Sequence, residues 1–234
     1  ELRHVKNIDL KPWKKDSTFH RSLFFSTTVY YRYAYNVFTR FKTIDTLGKS
    51  IINFDNLSNG QNIGVEFTNR TNLFRWWNFV LSANLYYNQI KGNVPNGEVD
   101  ATTNSFQYNL RMMNTFNINK KSSIQFMVVY RSKIKFLQGE IKPMVFANIG
   151  FKYDFLKDNK ASITINVSDI FHTQYFGATT NGKAFNSTVK YNWESTVGNI
   201  VFTYRFGKSE SKSQNSKPKK SNFEDSGNGV DGGG

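Results

Sequence analysis

The chain has 234 residues, with 31 Lys and Arg against 17 Asp and Glu, a net charge of +14 and no cysteine. Its length suits one large domain, and the missing cysteine excludes disulfides and thiolate metal sites. The positive balance admits nucleic acid, an anionic membrane surface or an anionic solute as partner, without choosing among them.

Aromatic residues reach 16%, with 22 Phe and 12 Tyr, although the mean hydropathy of −0.53 is polar. That pairing suits a membrane barrel, in which only alternate residues meet lipid. No apolar run approaches the roughly 18 residues of a membrane helix; the densest patch is "FMVVY" at 126–130. The chain opens on Glu1 with neither initiator Met nor signal peptide, and reads as a fragment or a processed product.

Residues 1–19 read as an extracellular loop segment. After them the spacing predicts about nine strands over 20–206. The first lies near 20–33, with Leu23, Phe25, Val29, Tyr31 and Tyr33 on one face; the second, near 36–45, alternates less cleanly. The third, 60–70, sets Ile63, Val65 and Phe67 against Asn62, Gly64, Glu66 and Thr68. In the fourth, 76–90, Trp77, Phe79, Leu81, Ala83, Leu85 and Tyr87 are in phase; in the fifth, 104–117, Phe106, Tyr108, Leu110, Met112 and Phe116 are. The sixth, 122–136, carries Ile124, Phe126, Val128 and Tyr130, and the seventh, 143–155, carries Val145 through Phe155 at odd positions. The eighth opens at "ASITINV" from 161, where Ala161, Ile163, Ile165 and Val167 alternate with polar residues, and the ninth is "NIVFTYRF". No segment of useful length has helical period.

The connections alternate in length. "TNLFR" (71–75), "NINKKS" (117–122) and "LKDNK" (156–160) are short and polar; 46–59, 91–103 and 171–195 are long. Short turns on one side and long loops on the other are the outer-membrane pattern. Asn181-Gly182 marks a type I′ turn, so strands eight and nine are expected to continue past the membrane as a protruding hairpin. Aromatics sort by depth. Phe74, Trp76, Trp77, Phe116, Phe155, Tyr204 and Phe206 fall near the short turns, and Tyr86, Tyr87, Phe106, Tyr108 and Phe136 near the long loops. Two such bands match the interfacial girdles of a membrane barrel. Residues 207–234 are low-complexity and polar and read as a disordered tail.

An open sheet in lipid leaves an edge of unsatisfied backbone groups at several kcal/mol each, and single-chain bacterial barrels usually have an even strand number. Nine strands therefore imply either a further strand without a clear signal or partners supplied by an N-terminal part of the barrel, and the abrupt start favours the second.

"NVSDIFHTQYFGATTNGKAF…NWES…IVFTYRFG" (166–207) resembles the C-terminus of the outer membrane beta-barrel family of TonB-dependent-receptor-like proteins. Asn166, Asp169, Phe171, the Thr-Asn-Gly hairpin and the closing Thr203-Tyr204-Arg205-Phe206-Gly207 carry the likeness. "NIDLKP" (7–12) resembles the receptors' Asn-Pro-x-Leu-Lys-Pro-Glu signature, with Ile8 in place of Pro and Trp13 in place of Glu. The resemblance implies a barrel of about 22 strands, of which these would be the last. It also implies an N-terminal plug and a TonB-contacting segment, hence energised uptake of a scarce solute across the cell outer membrane. The implied partners are outer-membrane lipid and lipopolysaccharide, the missing barrel and plug segments, the barrel-assembly machinery, and the TonB energy-transducing complex reached through the plug.

Under that reading Tyr204 and Phe206 form a barrel-assembly signal, and equally an interface anchor, while Trp76, Trp77, Phe116 and Phe155 form the girdle. Arg111, Arg131, Lys133, Lys135 and Lys152 lie out of phase with the apolar set and are expected at the lumen or rim. There they contact an anionic solute or, as more charge runs do, pair with acids of the plug or with lipopolysaccharide phosphates. His4, His20 and His172 stand apart, with no carboxylate at ligand spacing. Ser168, Asp169 and His172 are the one nearby trio of catalytic type, but neighbours in a strand point to opposite faces. No catalytic residue, metal or cofactor is expected. Nucleic acid is not expected either, since the membrane pattern already accounts for aromatics interleaved with basic residues. Two other classes compete: a passive or structural barrel, and a soluble β-sandwich binding module whose apolar faces would cover each other.

Overall fold

The computed structural model describes residues 2–10, 21–94, 99–183 and 185–206. The strands are β1 (Leu2–Leu10), β2 (Arg21–Ile44), β3 (Ser50–Phe74), β4 (Trp77–Val94), β5 (Val99–Asn117) and β6 (Ser122–Arg131). They continue with β7 (Ile134–Phe136), β8 (Gly139–Ile141), β9 (Met144–Phe155), β10 (Ala161–Val167), β11 (Tyr175–Gly182), β12 (Phe185–Asn192) and β13 (Gly198–Tyr204). Apart from one 3₁₀ turn, Lys157–Asn159, no helix occurs among the described residues. An antiparallel nine-stranded sheet has the order β1-β2-β3-β4-β5-β6-β9-β10-β13, and a separate four-stranded sheet the order β12-β11-β8-β7. The large sheet is open, with β1 and β13 at its two edges.

Register gathers the apolar set on one face. Val29 stands opposite Val65, Val65 opposite Leu85, Leu85 opposite Tyr108. Leu110 faces Tyr130, Tyr130 faces Val145, Ile149 faces Val167, and Ile165 faces Ile200. Because side chains alternate across a strand, one continuous face carries nearly every residue the sequence placed in phase. That face is uncovered among the described residues: Ile63, Phe106 and Phe202 are 56%, 58% and 63% exposed. A sandwich would have buried it against a second sheet. The face of Ile163, Ile165 and Val167 therefore belongs to this uncovered surface.

The band has membrane dimensions. From Trp77 to Tyr87, ten steps of about 3.4 Å at a tilt of about 45° project to about 24 Å, against about 25 Å for a barrel's apolar belt. Above the belt the same face turns polar. Gln61 Nε2 donates to Gln89 Oε1 at 2.6 Å, and Gln89 Nε2 to Asn104 Oδ1 at 3.0 Å.

Four expectations are corrected. Residues 2–10 of the expected 1–19 loop are strand β1, paired from Leu2↔Val29 to Leu10↔Arg21. Leu10 and Arg21 meet at the short-turn end of the sheet. An edge strand is held by backbone bonds, which need no apolar alternation, so "LRHVKNIDL" gave no signal. The first and second expected strands are one strand, β2, broken by register shifts at Ala34/Val37 and Val37/Phe38 with Asn36 at φ 49°. The shift inverts parity: Ser26, Thr28 and Tyr30 are buried before it, Phe41 and Thr43 after it. The long connections 46–59 and 91–103 are mostly extensions of β3, β4 and β5. The protruding hairpin, β11 and β12, belongs to the second sheet and does not prolong β10 and β13. Its reversal falls after the Asn181-Gly182 step, because Asn181 pairs with Asn186 and Gly182 with Phe185. The 207–234 tail lies outside the described residues.

Candidate functional site

The other face of the large sheet is polar and tied by side-chain bonds. Tyr30 crosses β3 at Gly64, and its hydroxyl donates to Asn84 Oδ1 at 3.0 Å. A Cβ on Gly64 would fall 2.7 Å from the Tyr30 ring and 2.6 Å from Tyr86 Cβ, so glycine is what lets the ring pass. Tyr86 Oη donates to Gln107 Oε1 at 2.7 Å, and Gln107 Nε2 to Ser105 Oγ at 2.9 Å. Tyr86 thus belongs to this polar wall, not to the upper aromatic band. Lower down, a cavity of about 310 Å³ is lined by Arg111, Met113, Gln125, Met127, Asn148 and Asn166, among others.

The five expected basic residues do not form one site. Register places Arg111, Arg131 and Lys152 on the polar face, opposite Val129, Asn109 and Thr164. Lys133 and Lys135 belong to the segment that enters the second sheet, with Lys135 in β7. Two of the five are ion-paired within the chain: Lys152 Nζ to Asp154 Oδ2 at 2.9 Å, and Lys133 Nζ to Glu140 Oε2 at 3.3 Å. Lys142 Nζ takes the other oxygen of Glu140 at 2.9 Å. The hydrogen bonds from Lys142 and Lys133 hold the Glu140 carboxyl below its ordinary range.

Aromatics mark both ends of the belt. At the short turns Trp76 and Trp77 stack with Phe74 and Phe116 at ring distances of 5.5–6.2 Å. Farther round the sheet, Phe155 lies 6.1 Å from Tyr153 and 6.2 Å from Phe202. Trp77 Nε1 also donates to Asn114 Oδ1 at 2.9 Å, covering the one amide in the apolar row of β5. At the long-loop end Tyr108 lies 6.1 Å from Phe106 and 5.4 Å from Tyr130. Phe136, expected in that band, is instead in β7 of the second sheet. Tyr204 ends β13, and Phe206 follows it, exposed.

Two polar clasps seat the second sheet, and sequence reasoning identified neither. Gln138, 3% exposed, receives the Lys42 main-chain N–H at Oε1 (2.8 Å) and donates to the Lys42 carbonyl from Nε2 (2.9 Å). Its amide thereby imitates a strand neighbour for β2, while its own carbonyl accepts from Asn181 N at 2.6 Å. Leu137 beside it packs with Phe41 and with Ile90. Nothing in the sequence marks a lone glutamine for this role.

The other clasp is Asp169, fully buried at φ 43° just beyond β10. Its Oδ1 accepts from Thr173 N (3.0 Å) and Thr173 Oγ1 (3.2 Å), and its Oδ2 from Gln174 N (2.9 Å) and Ser195 Oγ (2.5 Å). Asn148 Oδ1 accepts from Asp169 N at 2.9 Å. The carboxylate thus joins the two crossings between the sheets, 168–174 and 193–197, and the Asp169 main-chain N–H ties them to β9. Burial pushes its pKa up, but the donors from Ser195, Gln174 and Thr173 outweigh burial and hold it below the usual range. The sequence offered a signal here, because Asp169 and the "NWES" serine stand in the motifs that carried the family likeness.

The Ser168, Asp169 and His172 side chains turn to separate partners. Ser168 Oγ donates to Val197 O at 3.2 Å, and His172 Nδ1 lies 3.2 Å from Thr196 Oγ1. No three His, Cys, Asp or Glu side chains gather at ligand distance among the described residues.

The sequence matches the outer membrane protein beta-barrel family over residues 6–204. No curated protein and no solved structure matches it significantly.

Proposed function

The chain belongs to the outer membrane protein beta-barrel family, and from that premise we propose that it forms the C-terminal portion of a TonB-dependent receptor-like transporter. The observation that carries this reading is the open sheet: nine strands with one uncovered apolar face and two edges, β1 and β13. In lipid such edges require neighbours, and further strands would complete a wide barrel with the Tyr30–Asn84 and Tyr86–Gln107 wall as its lumen. In this mechanism the second sheet captures a scarce solute at the mouth, a plug gates the lumen, and the TonB complex supplies energy through the plug. Lipid and lipopolysaccharide surround the belt in the cell outer membrane. The assembly machinery reads the aromatic end of β13 at Tyr204 and Phe206. The reading assigns no catalysis to the chain.

The test is the intact mass of the native polypeptide purified from outer-membrane fractions, with sequencing of its N-terminal part. A species far heavier than 27.1 kDa with a plug upstream is the expected result. A heavy species without a plug would establish a passive or structural barrel instead. A species near 27.1 kDa would overturn the receptor reading.

A further inference from the structure

Strand β6 covers β5 only from Asn109 to Asn117. Above Asn109 the sequence leaves the large sheet: Ser132 N donates to Tyr108 O at 2.9 Å, and Ser132 Oγ accepts from Tyr108 N at 2.9 Å. The chain then turns off into β7. On that side the upper edge of β5 has no strand partner among the described residues. Backbone groups at such an edge need hydrogen-bond partners.

A cavity of about 520 Å³ opens there, between Thr102–Asn104 of β5 and the second sheet. Its volume lies in the range of roughly 300–1,000 Å³ typical of small-ligand sites. Thr103 of β5 and Thr179 and Asn181 of β11 line it, along with Thr102, Asn104 and Phe136, the Asn104 amide being engaged by Gln89 on the belt face of the sheet. Two charged residues also line it, Lys135 and Glu140. Both oxygens of Glu140 are already taken, one by Lys133 and one by Lys142. Lys135 makes no ion pair with a carboxylate among the described residues. Lys135 stands directly across the β7–β8 ladder from Glu140, so three lysines, Lys133, Lys135 and Lys142, share one carboxylate and the site keeps a positive excess. Gly139 keeps the floor closed, since a Cβ there would collide with the Thr179 carbonyl.

We propose that this cavity is a binding site for a small hydroxyl-rich anion, a sugar acid in chemical class, with Lys135 on its carboxylate and the threonine and asparagine groups on its hydroxyls. Phe136 offers its ring to the ligand's C–H face. The proposal rests on the uptake reading and deepens it by naming the solute. Binding itself needs no energised transport, so failure here removes this solute class and leaves the receptor reading to the mass measurement.

The experiment is calorimetric titration of the full native polypeptide in detergent with D-glucuronate, D-glucose and acetate. Glucose lacks the charge and acetate lacks the ring of hydroxyls. A charge-assisted contact supports a preference of about tenfold to a hundredfold, so glucuronate is expected to bind at least about tenfold more tightly than either control. Lys135→Met is expected to abolish the preference over glucose and Lys135→Arg to retain most of it. The comparison of the three probes on the unaltered protein stands even if the Met variant does not fold. Equal binding of glucose or acetate, a preference that survives in a folded Lys135→Met, or no saturable binding of glucuronate below about 10 mM would each overturn the assignment.

Discussion

A single arginine placed on the belt tests which face meets lipid. Ala83 lies on the apolar face of β4, opposite Phe67 of β3 and Leu110 of β5. It is six steps from Trp77 and four from Tyr87, which at about 3.4 Å per step and a tilt of about 45° puts it about 14 Å from one girdle and about 10 Å from the other. That is close to mid-belt, where arginine on a barrel's lipid face costs about 2–4 kcal/mol, falling to about 0–1 kcal/mol near the interface. Ala83→Arg is therefore expected to lower the folding equilibrium by about a hundredfold. At Tyr87, arginine measured against alanine should cost under about 1 kcal/mol. Thr68→Arg is the control, since Thr68 lies on the polar face between Ser26 and Ser82 and should change stability by no more than about 0.5 kcal/mol. Guanidinium unfolding of the native polypeptide from phosphatidylcholine vesicles reads all three. If Ala83→Arg costs no more than Thr68→Arg, the apolar face is not the lipid face and the barrel reading fails.

Four further outcomes are expected. Asp169→Asn replaces two acceptors by one acceptor and a donor facing the Thr173 and Gln174 N–H groups or Ser195 Oγ, and should loosen the clasp by about 2–3 kcal/mol; limited proteolysis should then cut 168–174 and 193–197 faster. The Asp169 carboxyl is depressed in the folded protein, so its contribution is complete above the ordinary carboxyl range near about pH 4. It fades as the pH falls through the lowered value. Protease resistance of the crossings that stayed constant from neutral pH down to about pH 2 would contradict that linkage. Gln138→Leu removes both bonds to the Lys42 backbone and should cost about 1–3 kcal/mol, read as faster amide exchange at Lys42 with exchange at Val65 unchanged. Trp77→Phe keeps the stacked ring but leaves Asn114 Oδ1 without its donor; a loss of about 1–3 kcal/mol is expected, recovered when Asn114→Leu is added.

The belt was legible in the chain because period-two alternation is local. Each of Phe79, Leu81, Ala83 and Leu85 announces its face through its own neighbours, and the side-chain period of a strand admits no other reading. Short turns and girdle aromatics were legible for the same reason. The upper strands were not, because beyond the belt both faces of a strand meet water or polar groups and alternation carries no signal. Residues 50–59, 91–94 and 99–103 therefore resembled loops although they belong to β3, β4 and β5. The expected count of nine agrees with that of the large sheet only because two errors cancelled, β2 being divided at its bulge and β1 missed, and the four strands of the second sheet were not expected as strands of their own.

What the sequence by itself determined is thus the apolar face, its depth and the class of fold. Tertiary structure alone decided the site. Lys135 and Glu140 meet Thr102–Asn104 only because β6 ends early and its continuation crosses into a second sheet. Gln138 meets Lys42, and Asp169 meets Ser195, across 96 and 26 residues. Hydrogen bonds over such separations depend on where the backbone is carried by pairings elsewhere, and no local pattern of residues encodes that position.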